Sequence, residues 1–103
     1  MNEANIQQNI IIWFRNNYSY YDNGLIFSVP NESSYGNKKF NNTGVLSGVS
    51  DLIVVLNNKV LFIEVKTDKG LQSEKQREFE KKVKALGHSY FLVRSLDDFK
   101  KCL

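Results

Sequence analysis

The chain is predicted to be an α/β domain, with a mixed central sheet of about four strands and helices on its faces. Three observations point there. Apolar residues recur at helical spacing between Glu3 and Asn17, two short strand-like runs meet at Asn57-Asn58, and a capped amphipathic helix separates that pair from one more strand. The element order is helix, three strands, helix, strand, helix. Without an internal repeat or linker, residues 1–103 read as a single domain.

The first helix follows from Ile6, Ile10, Trp13 and Phe14, which share one face from Glu3 to about Asn17. Asn2 is its expected cap, and Asn16-Asn17 end it. Tyr18 to Tyr21 with Asp22-Asn23-Gly24 make a polar, aromatic turn. Leu25 to Val29 is a short strand stopped by Pro30, which cannot donate to a ladder. Asn31 to Ser47 is polar and carries Lys38-Lys39 beside Tyr35 and Phe40. A connection of that length inside a small domain is either a functional segment or a surface excursion.

Leu52 to Leu56 and Lys59 to Ile63 form the predicted hairpin, closed by Asn57-Asn58 because Asn tolerates the positive φ of primed turns. A two-residue loop sets Leu56 opposite Lys59, Val54 opposite Leu61 and Asp51 opposite Glu64. In the next helix Ser73 and Gln76 form a capping box, and Glu78–Lys82 and Glu80–Lys84 are expected i,i+4 pairs. Phe79, Val83 and Leu86 make its expected buried stripe, with Gln76 on the same face. Gly87 stops it, and His88 is expected to be a surface or cap residue. Tyr90 to Val93 is the last strand, and Ser95 caps a short closing helix through about Lys101.

Composition bounds the function loosely. With 42% hydrophobic residues in 103, one modest core is available, and a chain so small readily associates with a second copy. Fourteen basic against eleven acidic residues give +3, compatible with a nucleic-acid partner without requiring one. Cys102 is the only cysteine, so no internal disulfide or cysteine-based metal site can form, which suits a reducing, cytoplasmic setting. No apolar stretch is long enough to span a membrane.

The chemistry concentrates where the hairpin ends. Cross-strand neighbours have Cβ atoms roughly 4.5–5.5 Å apart, so Asp51 and Glu64 repel each other and call for a cation between them. Strand alternation puts Lys66 on the face of Glu64 and turns Ile63 and Val65 to the other. An exposed Glu–Lys pair would be the ordinary alternative, yet it explains neither the facing Asp51 nor the inward Gln76. Mg²⁺ or Mn²⁺ suits such carboxylate and carbonyl oxygens.

An acid opening one strand and Glu-x-Lys closing the next resemble the core of the PD-(D/E)xK nucleases. Gly44, Gly48-Val-Ser-Asp51, Ile-Glu64-Val-Lys66, Leu71-Gln-Ser-Glu-Lys-Gln76, Phe79 and Gly87-His-Ser-Tyr90 together resemble the virus-type replication-repair nuclease (VRR-NUC) domain, over nearly the whole chain. The resemblance implies a restriction-endonuclease-like core and a divalent metal bound by Asp51, Glu64 and the Val65 backbone carbonyl. It implies Lys66 acting on the attacking water, Gln76 supporting the site, and Glu3 contributing from the first helix, where a dipole role is the alternative.

The resemblance further implies a homodimer cutting branched DNA such as four-way junctions, in a phage or bacterial host. Asn31, Lys38, Lys39, Ser50, Lys69 and Lys75 are the candidate DNA contacts, with Asp68, Arg77 and Arg94 as further candidates near phosphates. Nothing resembles a base-reading helix or an aromatic stacking motif, so recognition by DNA structure is expected over recognition by sequence. A catalytically silent DNA-binding module of the same fold and a flap or restriction-type nuclease are the rival readings.

Overall fold

A computed structural model describes residues 1–30 and 44–103. Among these, α1 spans Glu3–Asn17, β1 Gly24–Ser28, β2 Leu52–Leu56, β3 Lys59–Val65, α2 Glu74–Ala85, β4 Ser89–Val93 and α3 Leu96–Lys100. The four strands form one sheet in the order β1-β2-β3-β4. β1–β2 and β2–β3 are antiparallel, whereas β3–β4 is parallel because α2 carries the chain across the sheet. The mixed α/β architecture is therefore as the sequence predicts.

The caps also form as read. The Asn2 side chain accepts the Asn5 N–H, and Ser73 with Gln76 closes a reciprocal capping box on α2. At the other end of α2, Gly87 takes a φ of 91°, and the N–H groups of Gly87 and His88 donate to the carbonyls of Lys84 and Val83. That is a Schellman closure, which satisfies carbonyls the helix leaves open.

One sheet face is the apolar core. Leu52, Val54, Leu61, Ile63, Val65, Ile26 and Val93 pack against Ile6, Ile10 and Phe14 of α1 and Phe99 of α3. Their alternation along each strand explains why a single face collects them. Phe14 stacks on Tyr18 with ring centroids 4.4 Å apart, and Trp13 and Phe14 both meet Phe99 edge-on. The opposite face carries α2, where Phe79 packs against Phe62 and Tyr90. Burying one α1 residue such as Ile10 contributes about 1.5–3 kcal/mol.

Three expectations are corrected. Asn58 alone of the turn pair has a positive φ, 68°, so the hairpin closes without a primed turn, which needs positive φ at Asn57. Glu78 pairs with Lys75 at 3.6 Å and not with Lys82, because the i,i+3 geometry brings those ends together. Glu80 does pair with Lys84. Leu86 is 63% exposed, since α2 ends at Ala85 and the capping turn swings it off the buried stripe. Arg94 Nη1 is engaged with backbone carbonyls of Thr67, Asp68 and Gly70, an internal contact that the sequence does not announce.

Candidate active site

Pairing of β2 with β3 runs to Leu52 opposite Ile63, so Asp51 stands opposite Glu64 on the face that carries α2. Beyond Leu52 the backbone ladder stops, and the Asp51 side chain takes its place. Its Oδ2 accepts the Val65 N–H at 2.8 Å, which fixes the carboxylate at the residue between Glu64 and Lys66. The Asp51 carbonyl in turn accepts the Val29 N–H at 2.9 Å, tying the same residue to β1.

Glu64 is 1% exposed and sits between three groups. Its Oε2 accepts the Gln76 amide at 2.8 Å and lies 3.8 Å from the Lys66 ammonium. Gln76 is oriented by its own helix: its Oε1 accepts the Ser73 N–H at 2.8 Å, so the amide nitrogen is the end left to face Glu64. One residue thus serves as cap and as partner of Glu64, which joins the start of α2 to β3. Glu64 Oε1 is buried and no protein donor reaches it. With Glu64 ionised, a carboxylate oxygen left so deep without a donor costs about 1–3 kcal/mol or more.

Burial, first, and then the charge of Asp51 push the Glu64 carboxyl up to about 8 from the ordinary 4.5. A hydrogen bond from the protonated acid to Asp51 adds to the rise, Lys66 opposes it, and the Glu3 charge raises it slightly. At neutral pH the raised value favours a proton on Glu64 beside the Asp51 carboxylate. Among the described residues, no group of three or more His, Cys, Asp and Glu side chains comes together in metal-holding geometry. Asp51 and Glu64 meet, and the Glu3 charge acts on Glu64.

The approach to Asp51 is shaped by Gly48. Its φ is 79°, and a Cβ there would lie 2.2 Å from the Lys75 carbonyl oxygen and 2.8 Å from the Gln76 nitrogen. The segment before β2 thus lies directly on the first turn of α2, beside Gln76, and only glycine allows it. The sequence signal was the glycine itself, ahead of Ser50-Asp51. We expect Gly48→Ala to lose about 2–3 kcal/mol of stability, from left-handed strain plus a backbone clash. A thermal melt with unchanged transition temperature would contradict this.

The other predicted residues divide clearly. Ser50 is wholly buried, its hydroxyl 3.4 Å from the Leu52 carbonyl, so it lines the turn into Asp51. Asp68, Lys69 and Lys75 are exposed, and Arg77 donates to the Gln72 carbonyl. Asn31, Lys38 and Lys39 lie outside the described residues. Sequence reasoning missed a polar support beside Gln76. Gln72 donates to Glu80 at 2.9 Å and to the Tyr90 hydroxyl at 3.1 Å, under α2. Burial, and next the nearby Glu64 charge, hold the Tyr90 hydroxyl well above its ordinary range, so it stays protonated.

Two solved structures share this architecture. One, described as a VRR_NUC domain protein, superposes with a TM-score of 0.77 at 20% identity, over 99% of this chain and 84% of that one. The chain has the VRR-NUC fold. A second structure, described as a VRR_NUC domain, gives a TM-score of 0.68 at 23% identity over 96% of this chain and 90% of its own. No family model and no curated protein matches the sequence. At such identity the likeness is one of shape, with the sequences diverged, so the site must be argued from its own side chains. No helix among the described residues is long and apolar enough to cross a membrane.

Proposed function

We propose that this chain is a divalent-metal-dependent endonuclease that hydrolyses phosphodiester bonds in DNA. Branched DNA such as a four-way junction is the proposed substrate, and phage-type replication or repair the setting. The observation that carries the reading is the Asp51–Glu64 pair. Asp51 is held by a backbone N–H, Glu64 by Gln76, and a buried Glu64 oxygen is left without a donor. Such a centre destabilises the fold unless a proton or a cation occupies it.

The donors suit Mg²⁺ or Mn²⁺, which prefer carboxylate and carbonyl oxygens and retain several waters. Asp51, Glu64 and the Val65 backbone carbonyl would hold the ion, with Glu3 adding negative charge nearby. When bound, it supplies Lewis-acid polarisation of a phosphate oxygen and makes water a stronger acid.

The chain's own residues do the rest. Lys66, with its side chain 11% exposed beside Glu64, presents an ammonium that orients the attacking water and offsets charge growing on the phosphate. Gln76 holds Glu64 in one rotamer, so the carboxylate needs no rearrangement as the substrate arrives. Burial of Glu64 keeps bulk water from screening these charges. The exposed Lys69 and Lys75, with Asn31, Lys38 and Lys39, are proposed to meet the DNA backbone and make binding salt-dependent. A silent DNA-binding module is the weaker reading, because burying Glu64 and Lys66 beside Asp51 serves no purpose in binding alone.

A two-fold homodimer is proposed, since a symmetric pair offers two sites to a two-fold junction. The exposed Ile12, Tyr20 and Tyr21 supply apolar surface for it. Sedimentation showing monomer alone at micromolar concentration, with and without DNA, would remove this element. The nuclease reading is tested with linear, flap, splayed and four-way DNA incubated with Mg²⁺ or Mn²⁺. Cleavage that favours the four-way substrate and stops on chelation is expected, and metal-independent cutting would refute it.

A further inference from the structure

We propose that Arg94 is a positioning residue that sets Lys66 for reaction by clamping the loop that follows it. Arg94 is the first residue past β4. A single guanidinium nitrogen, Nη1, donates to the carbonyls of Thr67 at 2.5 Å, Gly70 at 2.8 Å and Asp68 at 3.1 Å. The Gly70 N–H also donates to Thr67 O at 3.1 Å, so residues 67–70 close as a tight turn. Three carbonyl dipoles converging on one point repel each other, and the guanidinium charge offsets them.

The turn bears on Lys66 directly. A Cβ placed on Gly70 would lie 3.4 Å from Lys66 Cβ and 3.2 Å from Thr67 Oγ1, so the turn folds back over the lysine stem. The Lys66 N–H is itself bound to the carbonyl of Val93, the neighbour of Arg94, at 3.0 Å. The anchor is rigid as well: the Arg94 N–H donates to Asp98 Oδ2 at 2.9 Å, and Ser95 caps the helix that carries Asp98. Arg94 thus fixes both the strand end and the turn on either side of Lys66. It acts through Lys66, and no contact with DNA is invoked.

This inference rests on the nuclease reading for its kinetic arm. Arg94→Gln and Arg94→Lys are compared with wild type on four-way DNA with Mg²⁺. Arg94→Gln is expected to lower kcat by about 10–100-fold, the scale of a misplacement near 1 Å, with KM and metal affinity within about twofold. Arg94→Lys, which keeps a cation but loses the planar fork, is expected to recover part of kcat. A KM rise with kcat unchanged, and a salt slope reduced by about one, would make Arg94 a phosphate contact and overturn the proposal.

Nuclear magnetic resonance gives an arm independent of cleavage. The Lys66 ε-methylene signal, assigned by its loss in Lys66→Met, should shift in Arg94→Gln, and the Gly70 amide should exchange faster. An unmoved Lys66 signal in a folded Arg94→Gln protein refutes the clamp even if DNA is cut normally. A wild type that cuts no DNA refutes the nuclease reading, while the Lys66 signal still decides whether Arg94 sets that side chain.

Discussion

Asp51→Ala and Glu64→Ala are each expected to reduce DNA cleavage by about 10³-fold or more, since the proposed metal would supply several kcal/mol that neither variant retains. Both should also lose most metal affinity in a calorimetric titration. Lys66→Ala should lose cleavage to a similar extent while its metal affinity stays nearly intact, because the ammonium serves water and phosphate. Gln76→Ala should fall between these, weakening metal binding by about 10–100-fold, the usual cost of losing a group that orients a ligand. Ca²⁺ should bind and support little turnover, being larger and a poorer activator of water. Full activity in Glu64→Ala would sink the site assignment, and equal metal loss in Lys66→Ala would move the lysine into the ligand set.

In metal-free buffer, stability should fall as the pH rises from about 5 to about 8, the span between the ordinary Glu64 value and the folded one. The folded protein keeps a proton on Glu64 that the unfolded chain releases above 4.5, so each rise in pH within that window favours unfolding. The contribution is fully present below 4.5 and gone above about 8. Its size is on the order of 5 kcal/mol. Glu64→Gln keeps the shape, accepts the Gln76 amide and can donate to Asp51, so it should flatten the profile and exceed wild type near pH 8. Saturating Mg²⁺ should flatten the wild-type profile in the same way, because the cation replaces the proton. Denaturant melts at pH 5, 6.5 and 8 measure all three. A Glu64→Gln profile as steep as wild type would mean that another group carries the linkage.

The same carboxylate pair shows what could be read without a structure. Counting outward from Asn57-Asn58 sets Asp51 opposite Glu64, and the ladder continues in that register to Leu52 and Ile63. The register holds although the turn is not a primed one, because register follows loop length. Gln76 was legible as a cap and as an inward residue. That both roles fall to the two ends of one amide was not, since the choice depends on how α2 sits over β3.

What the sequence by itself determined is local. The period of α1, the caps at Asn2, Ser73 and Ser95, the stop at Gly87 and the pairing of β2 with β3 all follow from residues a few positions apart. What only the tertiary structure decided involves groups far apart in the chain. Arg94 and Thr67 are 27 residues apart, and nothing near either one announces that a guanidinium will gather three carbonyls. Gly48 meets the Lys75 carbonyl only because α2 crosses the sheet at that height. The burial that lifts Glu64, and leaves its Oε1 without a protein donor, likewise arises when α2 closes over the hairpin. Desolvation depends on everything packed around a group, so a motif can name the carboxylate but not its proton.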